Sequence, residues 1–425
     1  MKNKKLKLYI KDRFCTGANA PLFTRFLYRC FQFIQRCFQS VKQILKTAPW
    51  HLQILIPRKK NVWIFGAWFG KKYSDNSKAL FEYMLEHHPE YSCTWITKDE
   101  AIYKQLREEN IPVAMADSKE GKHLCLTAKI AICTHDMGDF NHRYINGITQ
   151  VWLWHGMPLK KICLDDEKNY LITDIFNPWS KRSPDYTVTS SKFFTPFLQS
   201  ALGLSADCIF ETGLPRCDYL FNEKTEGFMV KLKAEHSECK IIMYMPTFRA
   251  ASYNGLVFDP FASFGFNKEI FHKALIENNY VFLYKPHFCD ETQRNSLEME
   301  NFYIIGDNDY IDLYRFLKDV DILITDYSSV YFDFIAAKKP VILAPFDYEN
   351  YIKESRAHYF DYFDNMEGIK AKNWAELLAI LSDQTYYPVS PEAVEKYAAF
   401  NDGHSSEKTF RAIEAKLKKS KGAII

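Results

Sequence analysis

The stretch 321–344, DILITDYSSVYFDFIAAKKPVILA, decides how this chain folds. Ile322–Thr325 is a short apolar run that reads as a buried strand stopping at Asp326. Ser328 and Ser329 then open a helix, and a second apolar run from Val341 follows Pro340. Strand, helix and strand in so short a span describe a parallel crossover, whose strands are covered on both faces and therefore lack polar alternation. One residue suffices to cap a helix. Asp326, Ser328, Ser329 and, one turn on, Asp333 exceed that need, and hydroxyls beside the free N–H groups of a helix start suit an anion. No G-x-G-x-x-G or G-x-x-x-x-G-K-[ST] loop occurs, which argues against a dinucleotide dehydrogenase and a P-loop ATPase.

The same rhythm extends both ways from this stretch. Upstream, NVWIFGAW (61–68), SCTWITK, IPVAMA, KIAICTH, TQVWLWHG, DYTVTSS and CIFETG read as strands, with helical segments such as 76–89 among them. After a polar passage the alternation restarts at KIIMYMPTFR and runs through YVFLYKPH, NFYIIGD and the opening stretch. Two series of strands and helices predict two α/β domains joined near residue 235, facing a cleft at the carboxyl ends of their strands. The expected divisions are a leader over 1–60, domains over 61–235 and 236–390, and a helical tail over 391–425.

Charge is uneven along the chain. Residues 1–60 hold 14 Lys and Arg against one acid, Asp12, while the remainder holds 41 bases against 51 acids. Within 21–47, Phe23, Phe26, Leu27, Phe31, Ile34, Phe38, Val41 and Leu45 recur at helical spacing, with Arg25, Arg29, Arg36 and glutamines opposite. A basic amphipathic helix of this kind suits the headgroup layer of an anionic membrane, although it also reads as a core helix with a solvated face. A basic end on a mildly acidic body points to an anionic surface contacted by one end only, and no nucleic-acid partner is expected. No run of 18 apolar residues predicts a spanning helix. The 11 cysteines are scattered, without C-x-x-C pairs, and read as reduced thiols.

Polar and basic residues cluster at strand exits. Lys285, Pro286 and His287 follow YVFLY, Thr247 and Arg249 follow KIIMYM, and Arg216 lies in a Gly-Pro turn. Cations and imidazoles there can pair with phosphate oxygens. His155 stands where WLW ends, between Trp154 and Gly156. An imidazole at such an exit can take a proton from an attacking hydroxyl, and glycine lets a ligand approach the backbone.

Together WHGMPLKKI, TGLPRCD, MPTFR, KPH and TDYSSVYFDF resemble the CDP-glycerol glycerophosphotransferase family, which builds teichoic acids and related polyol-phosphate capsule polymers. The likeness runs from about residue 61 to 400. It implies a GT-B fold, two Rossmann-like domains around a cleft, with the nucleotide held mainly by the second. It implies His155 as catalytic base and His287 on the donor phosphate. Donor contacts are implied for Gly156, Met157, Pro158, Leu159, Arg216, Pro246, Thr247, Lys285, Pro286, Ser328, Ser329 and Asp333. CDP-glycerol is the implied donor, and a lipid-linked saccharide or polyol-phosphate chain the implied acceptor. The implied place is the cytoplasmic face of the membrane, as a peripheral protein. The family commonly has Thr where this chain has Met157, so donor contacts or polyol preference could differ. A short basic leader stands where a large additional N-terminal domain is another arrangement. No carboxylate cluster calls for a divalent metal, so neither metal nor cofactor is expected. A CDP-ribitol transferase and a nucleotide-sugar glycosyltransferase of the same fold are the rivals, with a silent nucleotide-binding scaffold behind them.

Overall fold

The computed structural model describes residues 49–166, 183–222, 225, 227–247, 249, 259–286, 297–306, 312–354 and 357–422. The chain divides into two units, Met1–Pro57 and Arg58–Ile425. Of the first, the described part is a helical turn running into Gln53–Leu55, with Leu52, Ile54 and Leu55 exposed. The amphipathic helix expected over 21–47 lies outside the described residues.

The second unit contains two parallel sheets. Strands β1 (Lys59–Phe65), β2 (Ser92–Thr97), β3 (Val113–Met115), β4 (Ala128–Cys133), β5 (Thr149–Trp152), β6 (Tyr186–Val188) and β7 (Ile209–Phe210) form one, in the order β3-β2-β1-β4-β5-β6-β7. Strands β8 (Lys240–Met245), β9 (Tyr280–Tyr284), β10 (Phe302–Ile304), β11 (Ile322–Thr325), β12 (Val341–Leu343) and β13 (Ile369–Lys370) form the other, in the order β10-β9-β8-β11-β12-β13. Helices α1 (Asp75–His87), α2 (Glu100–Glu108), α3 (Lys119–Thr127) and α4 (Thr195–Leu202) cross over the first sheet. Helices α5 (Lys268–Glu277), α6 (Leu313–Leu317) and α7 (Val330–Phe334) do so in the second. The strands are apolar because both faces are covered. Ile241, Ile242, Met243 and Tyr244 of β8 are all buried, and Trp63, Ile64 and Phe65 of β1 are wholly inaccessible.

Strand β1 stops at Phe65, short of the expected residue 68. Gly66 still donates to Ile132 O at 3.0 Å, but Trp68 and Phe69 then take φ of 49° and 61°, which a strand cannot continue. Both sheets reverse direction beside their first strand, between β1 and β4 and between β8 and β11. Ligands of such sheets bind at the carboxyl ends of the strands flanking that reversal. The sequence segments there are 66–70 and 134–139 in one sheet and 246–247 and 326–329 in the other.

Helix α8 (Trp374–Ser382) packs on the second sheet, and the tail then runs through α9 (Pro391–Ala398) to α10 (Ser405–Gly422), which packs against α1 of the first. Both carboxylate oxygens of Asp218 accept from the first N–H groups of α10, Ser405 and Ser406, at 2.8 Å each. Phe410 lies on the ring of His88, with centroids 3.8 Å apart. Between the sheets a short antiparallel contact forms. Lys161 N donates to Ala357 O at 2.8 Å, and Tyr359 N donates to Leu159 O at 2.9 Å. The WHGMPLKK turn of one domain is thereby tied to the other.

Candidate active site

His155 follows β5, in a turn whose shape is set by its neighbours. Trp154 has φ 57°, and its carbonyl accepts from Asn76 Nδ2 at 2.9 Å. The His155 carbonyl accepts from Arg216 Nη2 at 3.1 Å. The imidazole is half-buried among aromatic rings. It stacks on His135 with centroids 4.1 Å apart and planes at 25°, and Trp154 and Trp68 lie at 4.8 and 5.8 Å. Burial lowers the pKa of His135, against the fields of Asp75 and Asp136. A neutral ring therefore lies against His155.

Gly156 marks the contact between the domains. Its φ is +129°, and a Cβ there would lie 2.5 Å from Ser329 Oγ and 3.0 Å from Arg216 Nη2. Only glycine fits. Gly156→Ala is expected to push the His155 turn off the Ser329 side and to lower turnover by about two orders of magnitude, because a strained backbone costs ~1–3 kcal/mol before any clash. Steady-state rates, with thermal melting to confirm a retained fold, check this.

Arg216 is buried in a charged knot. Nη1 donates to Asp75 Oδ1 at 2.7 Å and Nη2 to Asp333 Oδ2 at 2.6 Å, and the guanidinium lies 4.3 Å from the Tyr314 ring centroid. Tyr314 also donates to Asp333 Oδ2 at 2.9 Å. Burial opposes the Arg216 charge, but Asp333 and Asp75 together outweigh it and hold the group well above its ordinary pKa. Asp75 and Asn76 begin α1, with Asp75 at φ 72°. Asn76 Oδ1 accepts from Arg216 N at 3.1 Å while its amide holds the Trp154 carbonyl. One helix start thus orients both Arg216 and the His155 turn. Asp75, Asn76 and His135 were not singled out from the sequence. A run of polar residues, Ser74–Ser77, longer than a helix start needs is the signal that could have found the first two.

The second domain supplies the other wall. Thr247 N donates to Asp326 Oδ1 at 2.8 Å, while the buried Thr247 hydroxyl has no hydrogen-bond partner among the described residues. Pro246 is buried beside it, and Ser328 and Ser329 are partly exposed at the entry to α7. With five residues α7 has a weak dipole, so hydroxyls rather than the helix dominate there. Lys285 and buried Pro286 leave β9, with Lys285 N donating to Tyr244 O at 2.9 Å. His287 lies outside the described residues.

Several expected residues sit deeper than an open ligand wall. Asp333 is wholly buried against Arg216. The side chains of Met157 and Leu159 are core, with Met157 Sδ 3.8 Å from Thr189 Oγ1. Pro158 is buried between them. Arg249, read from sequence as a phosphate partner, is committed instead to Asp326 at 2.7 Å and Asp347 at 2.8 Å, with its guanidinium carbon 5.0 and 4.6 Å from the ring centroids of the stacked Tyr327–Tyr351 pair. The reason is its depth, with only 4% of its surface exposed.

The model of the family described as CDP-glycerol:poly(glycerophosphate) glycerophosphotransferase matches residues 49–415. A teichoic acid glycerol-phosphate transferase of Staphylococcus aureus is 31% identical over 83% of this chain and 93% of its own length. A teichoic acid poly(glycerol phosphate) polymerase of Bacillus subtilis is 27% identical over 84% of this chain and 49% of its own length. Among solved structures, the wall teichoic acid polymerase TagF matches with a TM-score of 0.69 at 24% identity, covering 91% of this chain and 98% of that one. The TagF likeness establishes the GT-B arrangement of the two Rossmann-like sheets. The chain belongs to the CDP-glycerol:poly(glycerophosphate) glycerophosphotransferase family.

Proposed function

We propose that this protein moves glycerol phosphate from CDP-glycerol to a hydroxyl of a teichoic-acid-type acceptor and releases CMP. The observation that carries this reading is His155 itself, displayed at the crevice where both sheets reverse, with Gly156 against Ser329 of the other domain. A ring nitrogen of His155 takes the acceptor hydroxyl proton. The acceptor oxygen attacks the β-phosphorus, the bond from that phosphorus to the bridging oxygen breaks, and CMP leaves with the electron pair. Such transfers need positioning and charge stabilisation more than covalent help.

Donor phosphates are assigned to the Thr247, Ser328 and Ser329 hydroxyls, Lys285 and His287, with the backbone of Gly156–Leu159 and the rings of Pro246 and Pro286 shaping the site. The unpartnered Thr247 hydroxyl supports this, since buried polar groups ordinarily find a partner. Arg216 and Asp333 serve the donor site by position, holding the His155 turn in place. Release of CMP from CDP-glycerol, compared with CDP-ribitol and UDP-sugars, tests the reading. Release from CDP-ribitol alone would make it a ribitol-phosphate transferase, and UDP from a sugar donor alone would make it a glycosyltransferase.

The acceptor is proposed to be lipid-linked and the protein peripheral at the cytoplasmic membrane face. No helix of the described residues is long and apolar enough to cross a membrane. The 14 bases of residues 1–60 support surface attachment, as do Leu52, Ile54 and Leu55, exposed by 61%, 67% and 75%. The full chain is expected to sediment with anionic vesicles and to be released by high salt. Equal sedimentation with neutral vesicles contradicts this.

A further inference from the structure

His135 stands beside His155 because of strand register. Cys133 of β4 lies opposite Trp152 of β5, and Leu153 N donates to Cys133 O at 2.8 Å, so the two chains leave the sheet side by side. Thr134 N then donates to Asp139 Oδ2 at 3.0 Å, and Thr134 Oγ1 accepts from Trp68 N at 3.3 Å, which fixes the backbone just before His135. The result is a pair of near-parallel imidazoles with centroids 4.1 Å apart.

The stack decides which part of His135 stays open. One face lies on His155, and Phe69 covers the other at 5.3 Å with planes at 20°. Trp68 meets the ring edge-on at 4.8 Å and 71°. Nδ1 of His135 is buried and has no hydrogen-bond partner among the described residues. The residue is nonetheless partly exposed, so its open edge is the one that carries Nε2. His155 is also partly exposed, and its Nδ1 is buried too. The Nε2 edges of two stacked rings thus face one crevice.

For packing alone, histidine is a poor choice at 135. Phenylalanine fills the same space without stranding a nitrogen, and a stranded polar atom costs stability. Burial keeps the ring neutral, so Nε2 carries either a hydrogen or a lone pair, and a hydroxyl pairs with both forms.

We propose that His135 is a specificity residue for the acceptor: its Nε2 hydrogen-bonds the hydroxyl on the carbon next to the one whose hydroxyl His155 deprotonates, so that the site selects acceptors ending in a vicinal diol. This rests on the transferase reading above and narrows the acceptor by the pattern of its hydroxyls. Hydroxyls on adjacent carbons lie close together, as do the edges of two stacked rings. A lone terminal hydroxyl satisfies His155 and leaves His135 unpaired.

The test uses the full chain with CDP-glycerol and two synthetic acceptors on the same alkyl phosphate. One ends in glycerol phosphate, and the other in propane-1,3-diol phosphate, which keeps the terminal hydroxyl and lacks its neighbour. The ratio of kcat/KM for the two acceptors is expected to fall about fivefold in His135→Phe, the size of one neutral hydrogen bond. The value for the propanediol acceptor should stay within about twofold, because the ring stack is kept. The intrinsic reactivities of the two hydroxyls cancel in this comparison. His135→Gln, whose amide nitrogen reaches the place of Nε2, should keep at least half of the unmodified ratio, which a packing role does not predict. Should His135→Phe lose its melting transition, His135→Leu is held to the same fivefold fall. An unchanged ratio, or equal losses for both acceptors, overturns the proposal and leaves the transferase intact. CMP release with a membrane lipid extract but with neither synthetic acceptor overturns the proposal alone. No CMP release with any acceptor overturns the transferase reading as well.

Discussion

Arg216→Ala is expected to destabilise the protein by about 3–5 kcal/mol, because removing one partner leaves buried charge uncompensated. The guanidinium is 2% exposed and is the shared partner of Asp75 and Asp333, themselves 5% and 0% exposed. Without it, two carboxylates face each other across an apolar space, and the Asn76 and Tyr314 contacts lose their reference point. Arg216→Lys should recover only part of the loss, since an ammonium lacks the fork that reaches both acids. Arg216→Met combined with Asp75→Asn and Asp333→Asn separates stability from function. It removes the charges together, so the denaturation midpoint should recover much of the way, whereas turnover should not, because the His155 carbonyl still lacks its donor. Urea unfolding and CMP release, measured on the same preparations, check both. A triple variant with normal turnover would show that Arg216 has no part in placing the His155 turn.

His155→Asn is expected to lower turnover by about 10²–10⁴-fold, the usual range for a positioned general base. The expected effect on the folded structure is small. The imidazole is half-buried, and the interactions shaping its turn run through the backbone carbonyls of Leu153, Trp154 and His155. Thermal melting should therefore move by only a few degrees, and CDP-glycerol binding by calorimetry should persist. Loss of donor binding together with rate would instead make His155 a donor contact.

The two α/β domains were legible because covered parallel strands write themselves as apolar runs. Val341–Leu343, Ile322–Thr325 and Tyr280–Tyr284 each fell where the pattern put them. Boundaries were less legible. Strand β1 ends early at Phe65 because the chain soon turns into left-handed backbone, a choice made by Asp139 and Thr134 from beyond β4. His155, Gly156, Ser328 and Ser329 were readable as chemistry at strand exits, and the fold brings Gly156 to Ser329.

The supporting residues were not readable, for a common reason. Asp75 and Asn76 take their place in the site from Trp154 and Arg216, 78 to 141 positions away, and His135 takes its place from His155, 20 positions on. Phe69 fell just past the strand expected over 61–68, and its exposure depends on positive φ angles at Trp68 and Phe69 that an apolar sequence does not announce. Conversely, Arg249 looked exposed after a strand and is buried, because Asp326 and Asp347 approach it from other loops.

The most direct measurement is transfer of label from glycerol-labelled CDP-glycerol into a membrane-lipid acceptor by the purified chain, with His155→Asn alongside. The account predicts labelled lipid and CMP in equal amounts from the unmodified protein, and neither from the variant above a hundredth of that rate. Equal transfer by both proteins, or CMP formed without labelled acceptor, would contradict it.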